Sequence, residues 1–296
     1  FLNRSILVLE DDYFQFEQFT GIDVQGIMGA DLFRRFIVEI DYQKQVISLY
    51  DPRYYEGPPG ENYVELPIEM SRHKPYLHAC THYQQDSTLT TKLLLDTGAS
   101  LALLLYTDTH PDMHLPPTVI KSNIGMGIGG FLEGFLGRVE RFDVGGFSFQ
   151  GVVTNFQDIY PIVDSTYMND RNGIIGNQLL SRFTIVLDYV RRKLYLQPRK
   201  DYNKQFKFDR SGMVLAASGN RLKTFTVYRV IPGSPADEAG IRDGDVIKNI
   251  NGMNAGFYSL DEINRKLQGK IGKKIKLKIE RDGETFRVTF RLRELI

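Results

Sequence analysis

Asp96, Thr97, Gly98 and Ser100 are the residues of this 296-residue chain best suited to chemistry. They close the stretch Leu93-Leu94-Leu95-Asp96-Thr97-Gly98-Ala99-Ser100, where an apolar run gives way at once to a carboxylate, hydroxyls and a glycine. That order predicts a buried strand leading into a tight turn. Gly98 lets the backbone approach the carboxylate closely. A carboxylate so placed can take a proton from water, while a second one donates a proton to the reacting carbonyl. Two carboxylates about 3 Å apart cannot both ionise, so they share one proton. Their titration then belongs to the pair. Asp-Thr-Gly occurs once in the chain. The partner carboxylate therefore comes from a preceding segment or from a second copy of the chain, or the site is silent.

Other reactive side chains are less well arranged. His110 and His114 stand near Asp108 and Asp112, but Pro111, Pro116 and Pro117 make that stretch a loop. It cannot present two ligands one helical turn apart, so no metal is expected. His78 and His82 lie on strand-like sequence and read as satisfied polar residues. The single cysteine, Cys80, excludes an intrachain disulfide framework and reads as a small buried apolar residue. Gly125–Phe131 is Gly-dense but lacks a following helix, which argues against a nucleotide loop. That segment, or Phe131–Gly137, reads as a surface hairpin or a closing flap. No cofactor is implied.

The elements that must position these residues are announced by an internal repeat. Residues 26–52 read GIMGADLFRRFIVEIDYQKQVISLYDP and residues 173–198 read GIIGNQLLSRFTIVLDYVRRKLYLQP. Gly26, Ile27, Gly29, Leu32, Arg35, Phe36, Asp41 and Tyr42 recur at an offset of 147 as Gly173, Ile174, Gly176, Leu179, Arg182, Phe183, Asp188 and Tyr189. Each copy predicts an apolar pair, a glycine, a short helix, an alternating strand, an Asp-Tyr turn and a last strand. Asp96 lies 77 residues before Gly173, and the same spacing before Gly26 falls ahead of residue 1. Residues 1–55 are therefore expected to be the C-terminal part of a first lobe, and 62–199 a complete second lobe.

Composition is that of an ordinary globular protein, with 42% hydrophobic and 25% charged residues. Trp is absent, and 16 Tyr and 19 Phe supply the large side chains. The longest apolar runs are too short to span a bilayer. Residues 205–296 carry 18 basic and 11 acidic side chains, a net of +7, against −6 for the rest. The excess is densest in Lys270–Lys278, whose alternation predicts a strand with one solvated face, not a nucleic-acid surface.

Beyond the polar stretch Pro198–Lys207 come Val230-Ile-Pro-Gly-Ser-Pro-Ala, Ala239-Gly-Ile-Arg-Asp-Gly-Asp-Val-Ile and Ile250-Asn-Gly. Ser259 with Glu262 three residues on predicts a capped helix to Leu267. Asp282-Gly283 predicts a hairpin turn between two final strands.

The Asp-Thr-Gly stretch, the Ile174-Ile175-Gly176 element and this C-terminal region together resemble bacterial proteins with tandem retropepsin-like lobes and a C-terminal PDZ domain. The resemblance implies a mainly β fold: an acid-protease-like lobe preceded by part of a duplicate and followed by a PDZ domain at 205–296. It implies an aspartic-type endopeptidase with Asp96 as half of a dyad, Thr97 bracing the loops, and Ser100 hydrogen-bonded to the carboxylate. The alternative is a non-catalytic peptide-binding scaffold. Partners implied are a peptide or protein substrate, C-terminal peptide tails at the PDZ domain and, where two chains pair to complete the dyad, a second copy of the chain. The peptide tail would bind as an added strand, its carboxylate held by Ser211, Gly212, Met213 and Val214, beside Ile263 and Leu267. The setting implied is bacterial and extracytoplasmic.

Overall fold

The computed structural model describes residues 15–83, 87–127, 130–158 and 171–296. Helices α1 (Phe16–Thr20) and α2 (Ala30–Phe33) precede a hairpin of β1 (Ile37–Asp41) and β2 (Val46–Tyr50). Next come β3 (Val64–Pro67), β4 (Glu69–Ser71), β5 (Lys74–His82), β6 (Thr88–Leu95) and β7 (Leu103–Tyr106). A meander follows, of β8 (Ile120–Gly127), β9 (Gly130–Val144) and β10 (Phe147–Gln157). The second repeat is β11 (Gly173–Ile175), α3 (Asn177–Leu180), β12 (Phe183–Asp188) and β13 (Lys193–Pro198). The C-terminal region holds β14 (Met213–Ser218), β15 (Thr224–Val230), α4 (Pro235–Glu238), β16 (Val246–Ile250) and β17 (Met253–Asn254). It ends with α5 (Leu260–Leu267), β18 (Lys274–Arg281) and β19 (Glu284–Arg291). The chain is mainly β, as expected.

These elements form two compact units. One comprises residues 27–125 and 131–207; the other comprises 208–295 with the stretch up to Gly26 and 126–130. The segment 1–55, expected to be one piece, is thus divided at Gly26, because α1 packs against β14 while the β1–β2 hairpin joins the other unit.

In the first unit the repeat has a geometric counterpart. The two hairpins meet through antiparallel β1 and β12, with Val38 opposite Leu187 and Ile40 opposite Ile185. The sheet order is β2-β1-β12-β13-β3, so the hairpins flank one seam. Their turns are built alike. The Asp41 carboxylate accepts the Gln43 and Lys44 N–H groups, and the Asp188 carboxylate accepts the Arg191 N–H. The elements ahead of the hairpins differ. Ile175 is 1% exposed beneath the lobe, whereas its counterpart Met28 is 60% exposed.

The larger sheet of this unit runs β4-β5-β6-β11-β7-β10-β9-β8. β11 is the keystone that positions the Asp96 loop. It pairs parallel to β6, with Ile175 beside Leu95, and antiparallel to β7, with Ile175 beside Leu103. Inserted there, β11 ties the strand entering the loop to the strand leaving it. β6 buries Leu89, Thr91, Leu93 and Leu95 on one face, the period-two pattern of a half-buried strand.

The second unit is a sheet in the order β14-β15-β16-β18-β19, with β17 paired to β16. Its core joins Phe225 and Val227 of β15 to Ile247 and Ile250 of β16, Ile263 and Leu267 of α5, and Ile275, Leu277 and Ile279 of β18. Lys274, Lys276 and Lys278 alternate with those last three and are exposed, the solvated face the sequence predicts. The α5 cap is a complete box: the Glu262 N–H donates to Ser259 Oγ and the Ser259 N–H to Glu262 Oε2.

Candidate functional site

The Asp96 loop is held from below by the second repeat. The Asp96 N–H donates 3.0 Å to the Ile175 carbonyl, and the Asn177 and Gln178 N–H groups donate to the Ala99 and Leu101 carbonyls at 2.8 and 3.0 Å. Gly176 is required by this closeness: a Cβ there would lie 2.4 Å from the Leu101 carbonyl oxygen. The Gln178 side-chain amide donates to the Ser100 carbonyl at 2.9 Å. Asp96 itself turns back on the loop. Its Oδ1 accepts the Gly98 N–H at 2.9 Å and the Ala99 N–H at 3.2 Å, an Asx-type turn. Asp96 and Thr97 are partly buried; Gly98 and Ser100 are exposed. The four predicted residues therefore share one turn. The expected bond from the Ser100 hydroxyl to the carboxylate is replaced by bonds from the backbone.

The second cluster lies in the C-terminal unit. β14 ends its sheet, paired to β15, and α5 packs against it. Before it, residues 209–213 form a tight loop. Asp209 Oδ1 accepts the Ser211 N–H at 2.9 Å, the Gly212 N–H at 2.6 Å and the Ser211 hydroxyl at 2.9 Å. The Met213 N–H donates to Ser211 Oγ at 3.2 Å. The Ser211 and Gly212 carbonyls accept from Ala236 and Ile231, which locks the loop to the start of α4. Burial outweighs these donors and raises the Asp209 carboxyl from 3.8 to about 6. The N–H groups expected to hold a peptide carboxylate thus already hold the chain's own. Ser211, Gly212 and Met213 are buried and Val214 is partly buried. Ile263 and Leu267 are wholly inside the core.

The remaining candidates are structural. His82 Nε2 lies 2.6 Å from Asp143 Oδ2, and the Thr88 hydroxyl 2.8 Å from His82 Nδ1, with Arg141 alongside. Cys80 is partly buried on β5. His110 bonds locally to the Asp112 N–H, and the described residues contain no group of three or more metal-ligating side chains. The Gly-dense segment is the β8–β9 hairpin, with Ile128 and Gly129 outside the described residues. No helix among the described residues is long and apolar enough to cross a membrane. Sequence reasoning missed Asp209, although Asp-x-Ser-Gly is a turn signature that could have revealed it.

Comparison with known proteins follows this geometry. Residues 226–281 match the PDZ domain family. A probable CtpA-like serine protease of Staphylococcus saprophyticus is 29% identical over 144 residues, 46% of this chain and 28% of the relative. Its counterpart in Staphylococcus aureus strain MRSA252 is 27% identical over 141 residues, 46% and 27% respectively. The chain thus spans about a quarter of the length of these relatives. Among solved structures, the photosystem II D1 C-terminal processing protease is 26% identical over 29% of this chain and 23% of its own, with a TM-score of 0.27. A retropepsin-like aspartic protease from Rickettsia conorii is 17% identical over 45% of this chain and 90% of its own, with a TM-score of 0.33.

These findings correct one expectation. The chain is not assigned as an aspartic-type endopeptidase, because its curated relatives are named serine proteases. What stands is a mainly β chain with a PDZ domain and sequence relatives among proteases.

Proposed function

We propose that this chain recognises extended peptide tails through its PDZ domain, in the service of proteolysis. One observation carries the reading: β14 ends its sheet and α5 lies beside it, the arrangement in which an added strand gains main-chain hydrogen bonds and side-chain contacts. The PDZ family match and the protease relatives support the setting. Because Asp209 occupies the loop N–H groups, affinity comes mainly from strand addition. A peptide carboxylate gains those N–H groups only by displacing Asp209.

The test is backbone amide shift mapping of the labelled full chain with the pentapeptide FGRWV, the ligand named with the HtrA3 PDZ structure. Shifts are expected to concentrate in residues 213–218 and 260–267. An unchanged spectrum in both segments at millimolar peptide refutes the reading.

A further inference from the structure

The groove beside β14 has an occupant within the chain. The Phe19 ring meets Tyr228 of β15 edge-to-face, with centroids 5.0 Å apart and an interplanar angle of 88°. Helix α1 packs along β14 itself. Gly21 then lies against Leu260, the first residue of α5; a Cβ at Gly21 would sit 2.5 Å from the Leu260 Cβ. Phe225 and Val227 of β15 share the core with α5, while Tyr228 alternates onto the other face of the sheet. A segment that touches Tyr228 and Leu260 therefore crosses the edge on which a peptide would add.

The segment is shaped for this position. Gly21 has φ 69°, a left-handed conformation that suits glycine, and its N–H donates 2.8 Å to the Glu17 carbonyl to end the helix. Only glycine satisfies both that conformation and the approach to Leu260. The Val24 N–H donates to Glu17 Oε1 at 3.1 Å, folding the following residues back on the helix. Phe16 and Phe19, three apart and so on one helix face, are partly buried although the helix is only 5 residues long. A helix so short has no stability of its own, so its order comes from the surface it covers.

We infer that residues 16–24 are a built-in occupant of the PDZ edge and hold the domain closed to peptide tails until they are displaced. This rests on the peptide-capture reading above. A tethered segment acts at an effective concentration of about 1 mM, which weakens an outside ligand about tenfold when the segment's own Kd is near 0.1 mM.

Fluorescence polarisation with fluorescein-labelled FGRWV tests the inference on three versions of the 296-residue chain: the natural sequence, Phe19→Ala and Gly21→Leu. Phe19→Ala removes the ring on Tyr228, and Gly21→Leu drives a side chain into Leu260. Both are expected to bind the probe several-fold more tightly than the natural chain, up to about tenfold on full release of the segment. An acetylated, amidated peptide of residues 16–24 is expected to compete in both. Equal, measurable affinity in all three proteins overturns the occupancy and leaves peptide capture standing. No binding by any of them overturns both. Should Gly21→Leu lose its cooperative melt, Phe19→Ala decides alone, since it trims only a partly exposed ring.

Discussion

Asp209 shows how a single carboxylate can be fixed by burial and by donors acting in opposite directions. Burial raises it from 3.8 to about 6, against the pull of the Gly212 and Ser211 donors. The folded state then keeps a proton that the unfolded chain releases, so between those values the folded form binds more protons. Stability from this group is complete below about pH 4 and falls as pH rises towards 6, after which it is level. The difference amounts to about 2–3 kcal/mol. Asp209→Asn removes the titration but keeps an oxygen acceptor. Urea unfolding at pH 4 and pH 7 should show the asparagine variant gaining that amount relative to the natural chain at the higher pH. A difference that stays constant with pH refutes the burial argument. Asp96 is the contrasting case. The apolar run and Asp-Thr-Gly revealed its turn, because both are local signals. Asp209-Arg210-Ser211-Gly212 carries a turn signal of the same local kind, whereas the burial that outweighs its donors comes from distant packing a sequence does not display.

At the scale of elements, local chemistry was the legible part. The Ser259 cap, the hairpins and the lysine-lined face of β18 all follow from neighbours a few residues apart. The insertion of β11 between β6 and β7 joins positions about 70–80 residues apart, and no local pattern encodes such a partner. Helix α1 was likewise unread, being too short to show a period. One long-range tie can be tested directly. Arg281 on β18 makes a two-pronged bond to Asp245, at 2.7 and 2.8 Å, and caps the Gly240 carbonyl. Asp245 is 0% exposed and also accepts the Arg242 N–H. Arg281→Ala strands that carboxylate without a countercharge, which costs about 3–5 kcal/mol. Asp245→Asn added to it should recover part of the loss, as urea unfolding of the single and double variants would show. A loss under about 1 kcal/mol for Arg281→Ala would place the pair among weak surface bridges.

For the molecule as a whole, the division into two units has a thermodynamic consequence. Each has its own buried centre: Leu103, Leu105, Phe156 and Phe183 in one, Phe225, Ile250, Ile263 and Ile279 in the other. Chains of two such units commonly depart from a single all-or-none transition. Two calorimetric transitions are expected, and substitutions assign them. Leu103→Ala empties a site that is 0% exposed on β7 and should destabilise the first unit by about 2–5 kcal/mol. Arg281→Ala should lower only the other transition. Because α1 belongs to the C-terminal unit, Phe19→Ala should move that same transition, and by less, since the ring it removes is partly exposed. If Leu103→Ala and Arg281→Ala shift one common transition equally, the units unfold together.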